Sequence, residues 1–174
     1  MTSSLSKSKP IEPNTTISSE STMEPKNYKA LAKEIRDILI DIASKNYTHF
    51  SSSLGAVELC IALTEVFDCL HDKVVIDGSH QSLAYKILTD RKEKVHNQGV
   101  KDGISAYQDP RESPYDPFIG GHLGMSISAA LAYSITNSEY KSIAVVGDGA
   151  FTEGQIYEGL NHAGLVKSNL LVIY

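Results

Sequence analysis

The residues best suited to chemistry lie in the stretch IAVVGDGAFTEG, residues 143–154. Four apolar residues run directly into the turn Gly147-Asp148-Gly149, and a helical pattern follows. A strand that ends in a glycine turn and opens a helix presents free backbone N–H groups to an anion such as a phosphate. Because the Asp148 carboxylate would repel a phosphate, a divalent cation should lie between them. The turn therefore predicts a diphosphate held through Mg²⁺, with Asp148 as the metal ligand.

Two other interpretations of this turn need no metal. Asp148 can cap the helix that follows, because Asp is a favoured N-cap residue. The turn also imitates the first two glycines of the G-x-G-x-x-G motif of dinucleotide-binding proteins. The third glycine of that motif would fall where this chain has Thr152, which argues against a nucleotide-binding α/β module.

Three histidines are candidates for proton transfer, because an imidazole titrates near neutral pH. They are His49, His80 and His122, and they lie too far apart to form a local metal-binding motif. Each occupies a link beside a predicted helix or strand, which is where sites at the edge of a sheet are built. A lone histidine is more often structural than catalytic, so position alone leaves both interpretations open.

The elements that must position these residues alternate between helix and strand. Apolar periodicity predicts helices over 28–44, 54–70, 82–89, 123–136 and 152–164. Continuous apolar runs predict strands over 73–77, 142–146 and 169–174. Buried strands alternating with helices are typical of an α/β fold in which a parallel β-sheet has helices on both faces.

Several segments complete this organisation. Residues 1–26 are rich in Ser, Thr and Pro, which predicts a disordered tail before a domain over 27–174. Residues 97–121 form a long link rich in Gly, Pro, Asp and Ser, and loops of that length are usually functional or mobile. The charged residues at 91–94 are expected on a solvated face. Cys60 and Cys69 fall in one predicted helix, roughly 13 Å apart, too far for a disulfide.

Composition limits the classes of partner. The chain has 174 residues, a net charge of −5 and an isoelectric point near 5.6, which argue against nucleic acid or an anionic membrane as a partner. No apolar run approaches the roughly 20 residues that span a bilayer. The tail lacks the apolar core of a secretory signal. Its Ser content resembles a transit peptide, but Glu12, Glu20 and Glu24 and the absence of Arg argue against one. Free buried thiols suit a reducing compartment, so the cytoplasm is the expected location.

Four collinear segments give the chain a family resemblance. They are HFSSSLGAVEL (49–59), DGSHQSLAYKILTDR (77–91), GGHLGMSISAALA (120–132) and GDGAFTEGQIYEGLNHAGLVKSNLLVIY (147–174). In these segments the chain resembles the N-terminal domain of the 1-deoxy-D-xylulose-5-phosphate synthases, which are transketolase-like thiamine diphosphate enzymes. The resemblance implies the diphosphate-type domain of a thiamine-diphosphate-binding fold, with Mg²⁺ as the metal and a role in making isoprenoid precursors. It also implies two-carbon transfer from an α-keto donor to an aldehyde acceptor.

The resemblance also implies roles for single residues. His49 would line the substrate side of the cofactor and assist proton transfer, and His80 would reach the diphosphate and the substrate. Asp148 would bind the metal. Further contacts with the cofactor would come from Gly121, His122, Gly147, Gly149 and Ala150.

The sequence departs from the family pattern in three ways that change the function expected of this chain. The Asn-Asp-Asn that supplies the second metal ligand would follow Tyr174, so the domain is expected to be incomplete at its C-terminus. The later domains, which activate the pyrimidine and bind the acceptor, would have to come from a second chain or from a longer form of this one. Leu123-Gly124 replaces the family's Ser-Ser, and Glu153-Gly154 looks like ordinary transketolases, so the donor and acceptor stay open.

The expected function is thus one half of a two-carbon transferase, inactive alone and working in an oligomer. The alternatives are a non-catalytic relic or regulator of the same fold, and the nucleotide-binding module described above.

Overall fold

The computed structural model describes residues 27–45 and 50–174. Residues 1–26, with the expected tail, and His49 lie outside the described residues. Among the described residues no helix is long and apolar enough to cross a membrane. The elements in chain order are α1 (Tyr28–Lys45), α2 (Phe50–Gly55), α3 (Val57–Val66), β1 (Lys73–Ile76), α4 (Ser82–Leu88), α5 (Ser126–Thr136), β2 (Ser142–Val145), α6 (Gly154–Val166) and β3 (Leu170–Ile173).

The three strands form one parallel sheet in the order β1-β2-β3. Ile143 at the centre is in register with Val74 on one side and Leu171 on the other. Because the strands run in the same direction, their carboxyl ends meet at one edge of the sheet. The predicted parallel sheet is therefore confirmed, with each strand within two residues of its expected ends.

Both faces of the sheet are covered, as predicted. Side chains alternate between the two faces along each strand. Val74 and Ile143 pack into a cluster with buried residues of α1, α3 and α4. Val75 and Ala144 pack into a second cluster with α5 and α6.

The predicted single helix over 54–70 is wrong, because the chain forms two helices there. The backbone leaves helical geometry at Ala56 (φ −101°, ψ 6°), directly after Gly55, a residue of low helix propensity. Helix α3 then ends at Val66, because Phe67 adopts an extended backbone (φ −113°, ψ 144°).

The two cysteines consequently do not share a helix. Cys60 lies in α3, whereas Cys69 lies in the turn between α3 and β1. Both are free and buried. Burial raises the pKa of the Cys60 thiol to about 12, so this thiol stays protonated and packs as a small apolar side chain.

Helix α5 begins three residues later than predicted, because a carboxylate from another element caps it. Asp77 follows β1 and accepts hydrogen bonds from the N–H groups of Gly124 (2.8 Å) and Ser126 (2.9 Å). Gly124 has a φ of 87°, a conformation that suits glycine. This contact ties the segment before α5 to the carboxyl end of β1.

The expected solvated face at 91–94 is wrong for its first residue. Arg91 is only 2% exposed, whereas Lys92, Glu93 and Lys94 are exposed. The Arg91 guanidinium donates hydrogen bonds to both carboxylate oxygens of Asp116 and to Glu112. It is buried because its partners come from the long link and cover it.

Lys86 completes this group, which we call the buried ion cluster (Lys86, Arg91, Glu112 and Asp116). The Lys86 ammonium is fully buried and donates to Glu112 and to the carbonyl oxygens of Ser105 and Tyr107, each at 2.8 Å. The long link is therefore anchored by charges rather than by regular secondary structure.

The two outer edges of the sheet differ. Gln108 is buried beside β1, where its Oε1 accepts from the Ile76 N–H (2.8 Å) and its Nε2 donates to the Val74 carbonyl (3.0 Å). The long link thus supplies the hydrogen bonds that a neighbouring strand would make. In the described part of the chain β3 pairs with β2 alone, and Leu171 is 45% exposed.

Candidate functional site

Two adjoining cavities lie at the carboxyl ends of the strands. The smaller is about 260 Å³ and the larger about 440 Å³. In parallel α/β sheets, ligands bind in the crevice outside the carboxyl ends of the strands. Four residues line both cavities and join them into one candidate site: Ser52, Gln81, Gly147 and Asp148.

Asp148, the predicted metal ligand, is one of the residues that line both cavities. It lies just beyond β2 and is exposed, and its Oδ1 accepts a hydrogen bond from the Gly149 N–H at 2.9 Å. Within the described residues no lysine, arginine or histidine forms a salt bridge with it. Its negative charge is therefore available to a cation.

The two glycines of the turn have different surroundings. A Cβ added to Gly147 would lie 2.7 Å from the side-chain Nε2 of Gln81, so a larger residue would push this amide away. A Cβ added to Gly149 would meet nothing within 4 Å. Gly147 therefore serves internal packing, whereas Gly149 borders open space. Ala150, which follows, lines the smaller cavity and begins a 3₁₀ turn over Ala150–Thr152.

His80 lies in the wall of the smaller cavity together with Asp148. It follows the 3₁₀ turn Asp77–Ser79, in which Gly78 and Ser79 both have positive φ values, 56° and 57°. Its carbonyl oxygen accepts a hydrogen bond from the Ser53 hydroxyl at 3.1 Å. The tight turn brings the half-buried imidazole to the carboxyl edge of the sheet.

Gly121 and His122 reach the neighbourhood of the site less directly. Both are exposed, and neither lines the two cavities. The next residue, Leu123, does line the smaller cavity. A Cβ on Gly121 would lie 2.7 Å from the Tyr107 ring, so the glycine allows this aromatic side chain to pack on the backbone beside His122.

Asp77 and Gln81 are among the lining residues that sequence reasoning missed. Asp77 follows an apolar strand directly, which is the same signal that identified Asp148, so the pattern could have found it. Gln81 had no such signal. Its Oε1 is buried and has no hydrogen bond partner among the described residues.

The carboxylate at this site suits a hard cation whose other ligands are waters and phosphate oxygens. No group of three or more His, Cys, Asp or Glu side chains in the described residues could hold a metal ion alone. Mg²⁺ is usually bound by one or two carboxylates, with waters and phosphate oxygens completing its octahedron. An exposed Asp148 beside open space fits that pattern.

Comparison with known proteins decides the family. Residues 14–174 match the family described as 1-deoxy-D-xylulose-5-phosphate synthase. The chain belongs to the 1-deoxy-D-xylulose-5-phosphate synthase family. The resemblance carried by the four sequence segments is therefore confirmed.

Individual members of the 1-deoxy-D-xylulose-5-phosphate synthase family agree with this assignment. The synthase of Carboxydothermus hydrogenoformans is 44% identical over 155 residues, which cover 87% of this chain and 25% of that protein. The synthase of Francisella philomiragia is 46% identical over 149 residues, covering 83% of this chain and 24% of that protein. The synthase of Fusobacterium nucleatum is 45% identical over 142 residues, which cover 81% of this chain and 24% of that protein. The chain spans about a quarter of the length of these relatives.

Proposed function

We propose that this chain forms the diphosphate- and magnesium-binding half of a thiamine-diphosphate-dependent two-carbon transferase. The proposal rests on Asp148, an exposed carboxylate beside the open space at Gly149 that has no salt bridge with any described residue. In a family of 1-deoxy-D-xylulose-5-phosphate synthases, a carboxylate at the carboxyl end of a parallel strand is best explained as a ligand of Mg²⁺ that bridges to a diphosphate.

The residues of the site fit this group. The Asp148 carboxylate would bind Mg²⁺, and the backbones of Gly147, Gly149 and Ala150 would contact the diphosphate. The open space at Gly149 gives phosphate oxygens room to approach the main chain. When bound, thiamine diphosphate supplies the carbon nucleophile that carries the two-carbon unit.

We assign roles to the histidines from their positions relative to the proposed cofactor. His80 lines the same cavity as Asp148, so its imidazole would reach the diphosphate and exchange a proton with the substrate there. Gly121 and His122 would approach the cofactor from the segment before α5. His49, outside the described residues, is proposed to act on the substrate side of the cofactor.

The remaining groups of the reaction lie outside this chain in our proposal. A second chain or a longer form of this one would supply the pyrimidine side of the cofactor and a further metal ligand, within an oligomer. An α-keto acid is the proposed donor and an aldehyde the acceptor. We expect this activity in the cytoplasm, since two free buried thiols suit a reducing compartment.

Calorimetric titration of the chain with thiamine diphosphate tests the binding claim. With Mg²⁺ present we expect saturable binding, because Mg²⁺ held by Asp148 neutralises the diphosphate. EDTA should abolish it, and Asp148→Asn should weaken it at least about tenfold. Glu158→Gln, a change of an exposed carboxylate on α6, is the matched control and should leave binding intact. Equal binding by Asp148→Asn, or none by the unaltered chain, would contradict the proposal.

A chimera tests the catalytic claim. Residues 27–174 replace the matching quarter of the Carboxydothermus hydrogenoformans synthase, and formation of 1-deoxy-D-xylulose 5-phosphate is measured. The chimera should turn over, whereas the 174-residue chain alone should not. A folded chimera that binds the cofactor but gives no product would favour the relic instead.

A further inference from the structure

The carboxylate of Asp77 lies where the carboxyl end of β1 meets the chain before α5. It is 3% exposed, and it belongs to the wall of the smaller cavity together with Asp148. Both of its oxygens accept backbone hydrogen bonds, one from the Gly124 N–H at 2.8 Å and the other from the Ser126 N–H at 2.9 Å. Hydrogen bonds to a charged acceptor are the stronger kind, so Asp77 fixes the position of this part of the chain.

The chain that Asp77 holds, which we call the pre-α5 segment (residues 121–125), packs closely on two sides. On one side Leu123 covers the turn after β1, because a Cβ added to Gly78 would lie 2.7 Å from the Leu123 Cδ2. On the other side Gly124 passes close to the start of α6, where an added Cβ would lie 3.0 Å from the Glu153 Cβ. The pre-α5 segment therefore lies between the turn after β1 and the start of α6.

This segment contributes an apolar side chain to the smaller cavity. Leu123 lines that cavity together with His80, Asp148 and Gly149. An aliphatic side chain offers no hydrogen bond to a phosphate oxygen, whereas it can pack against the organic part of a ligand. The cavity wall thus combines a carboxylate with an apolar surface, and Asp77 sets the position of the apolar surface.

We infer that Asp77 is a positioning residue, which holds the pre-α5 segment in place for the organic part of thiamine diphosphate before the cofactor binds. The inference rests on the proposed function, which brings Gly121 and His122 to the cofactor. If the segment were loose, the cofactor would have to order it on binding, and ordering the backbone of one residue costs about tenfold in affinity. Asp77 acts through the chain that it holds.

The two ends of β1 provide a matched pair of variants. Asp72, which precedes β1, is also buried and also accepts from two backbone N–H groups, those of Asp68 (3.1 Å) and Lys141 (2.9 Å). It lies at the opposite edge of the sheet from the candidate site. Asp77→Asn and Asp72→Asn each replace an acceptor oxygen by an NH₂ donor, so both should lower the melting temperature by a similar amount.

Calorimetric titration in the presence of Mg²⁺ compares these variants with the unaltered chain. Asp77→Asn should bind thiamine diphosphate about tenfold more weakly, while its affinity for inorganic diphosphate stays the same. Asp72→Asn should bind both compounds normally. Unchanged affinity of Asp77→Asn for thiamine diphosphate would overturn the inference, and so would an equal loss for both compounds or an equal loss in Asp72→Asn. Failure of the unaltered chain to bind either compound would overturn the proposed function itself.

Hydrogen exchange tests the same role in a way that does not depend on how well a variant folds. In the unaltered chain without ligand, the amides of Gly124 and Ser126 should already be protected, because they donate to Asp77. In Asp77→Asn their exchange should be faster, and thiamine diphosphate should slow it. Rapid exchange at both amides of the unaltered chain would overturn the inference, since the segment would then not be held in advance.

Discussion

Two regions of the molecule handle charge in opposite ways. In the buried ion cluster every charged group has a partner: Arg91 meets Asp116 and Glu112, and Lys86 meets Glu112 and two carbonyl oxygens. At the carboxyl end of the sheet, Asp148 has no cation among the described residues and Gln81 has an unpaired acceptor.

The difference separates charges that hold the fold together from a carboxylate that stays accessible to solvent. A buried charge must be paired, because its desolvation costs several kcal/mol. A carboxylate at an exposed strand end can stay unpaired in water until a ligand supplies the counter-ion. The buried ion cluster therefore holds the long link in place, whereas Asp148 stays exposed at the end of β2.

Breaking the buried ion cluster should have the largest effect on folding. Asp116→Asn leaves the buried Arg91 charge short of its bidentate partner, which should lower the free energy of unfolding by about 3–5 kcal/mol. Urea unfolding followed by circular dichroism measures it. The matched control is Asp37→Asn, which removes an exposed partner of Lys33 and should cost far less. Equal losses in the two variants would show that burial is not what makes the cluster matter.

The pH dependence of stability sharpens the same contrast. Burial alone would raise the pKa of Glu112, but hydrogen bonds from Lys86 and the Ser105 N–H lower it below its ordinary value of 4.5. A carboxylate with a depressed pKa in the folded state stabilises the protein above its unfolded pKa, and this contribution is lost as the pH falls through the folded pKa.

Glu112→Gln should therefore flatten the fall in unfolding free energy below about pH 4.5. Urea titrations at a series of pH values compare the two slopes. The remaining slope should include Asp109, whose pKa is lowered to about 2 by hydrogen bonds from Arg111. An unchanged slope in Glu112→Gln would mean that the buried ion cluster does not govern acid sensitivity.

Sequence patterns within short segments predicted those features that depend only on residues close together in the chain. The strands were found because each is a continuous apolar run, and Asp148 because it directly follows one of them. Arg91 looked like a surface residue because its main partner, Asp116, lies 25 positions later. The break at Ala56 was missed because residues 54–70 are apolar around most of the surface of the predicted helix, so the periodicity shows no interruption.

Sequence patterns also predicted the candidate site only in part. His80 and Asp148 were expected in one site and do line one cavity, whereas Gly121 and His122 lie outside its wall. Gln81 could not be predicted, because an unpaired acceptor is visible only when every neighbour has been placed. A sequence pattern identifies residues that lie beside the end of a strand, but the packing of the folded chain decides which of them line the cavity.

Hydrogen exchange of the chain with and without Mg²⁺ and thiamine diphosphate reports on both regions at once, so it shows whether a ligand binds at the carboxyl ends of the strands. We expect new protection at residues 147–153 and 77–82, with little change at 105–116, where each charged group of the buried ion cluster already has a partner. Protection spread evenly over the chain, or absent from 147–153, would contradict a ligand site at the carboxyl ends of the strands.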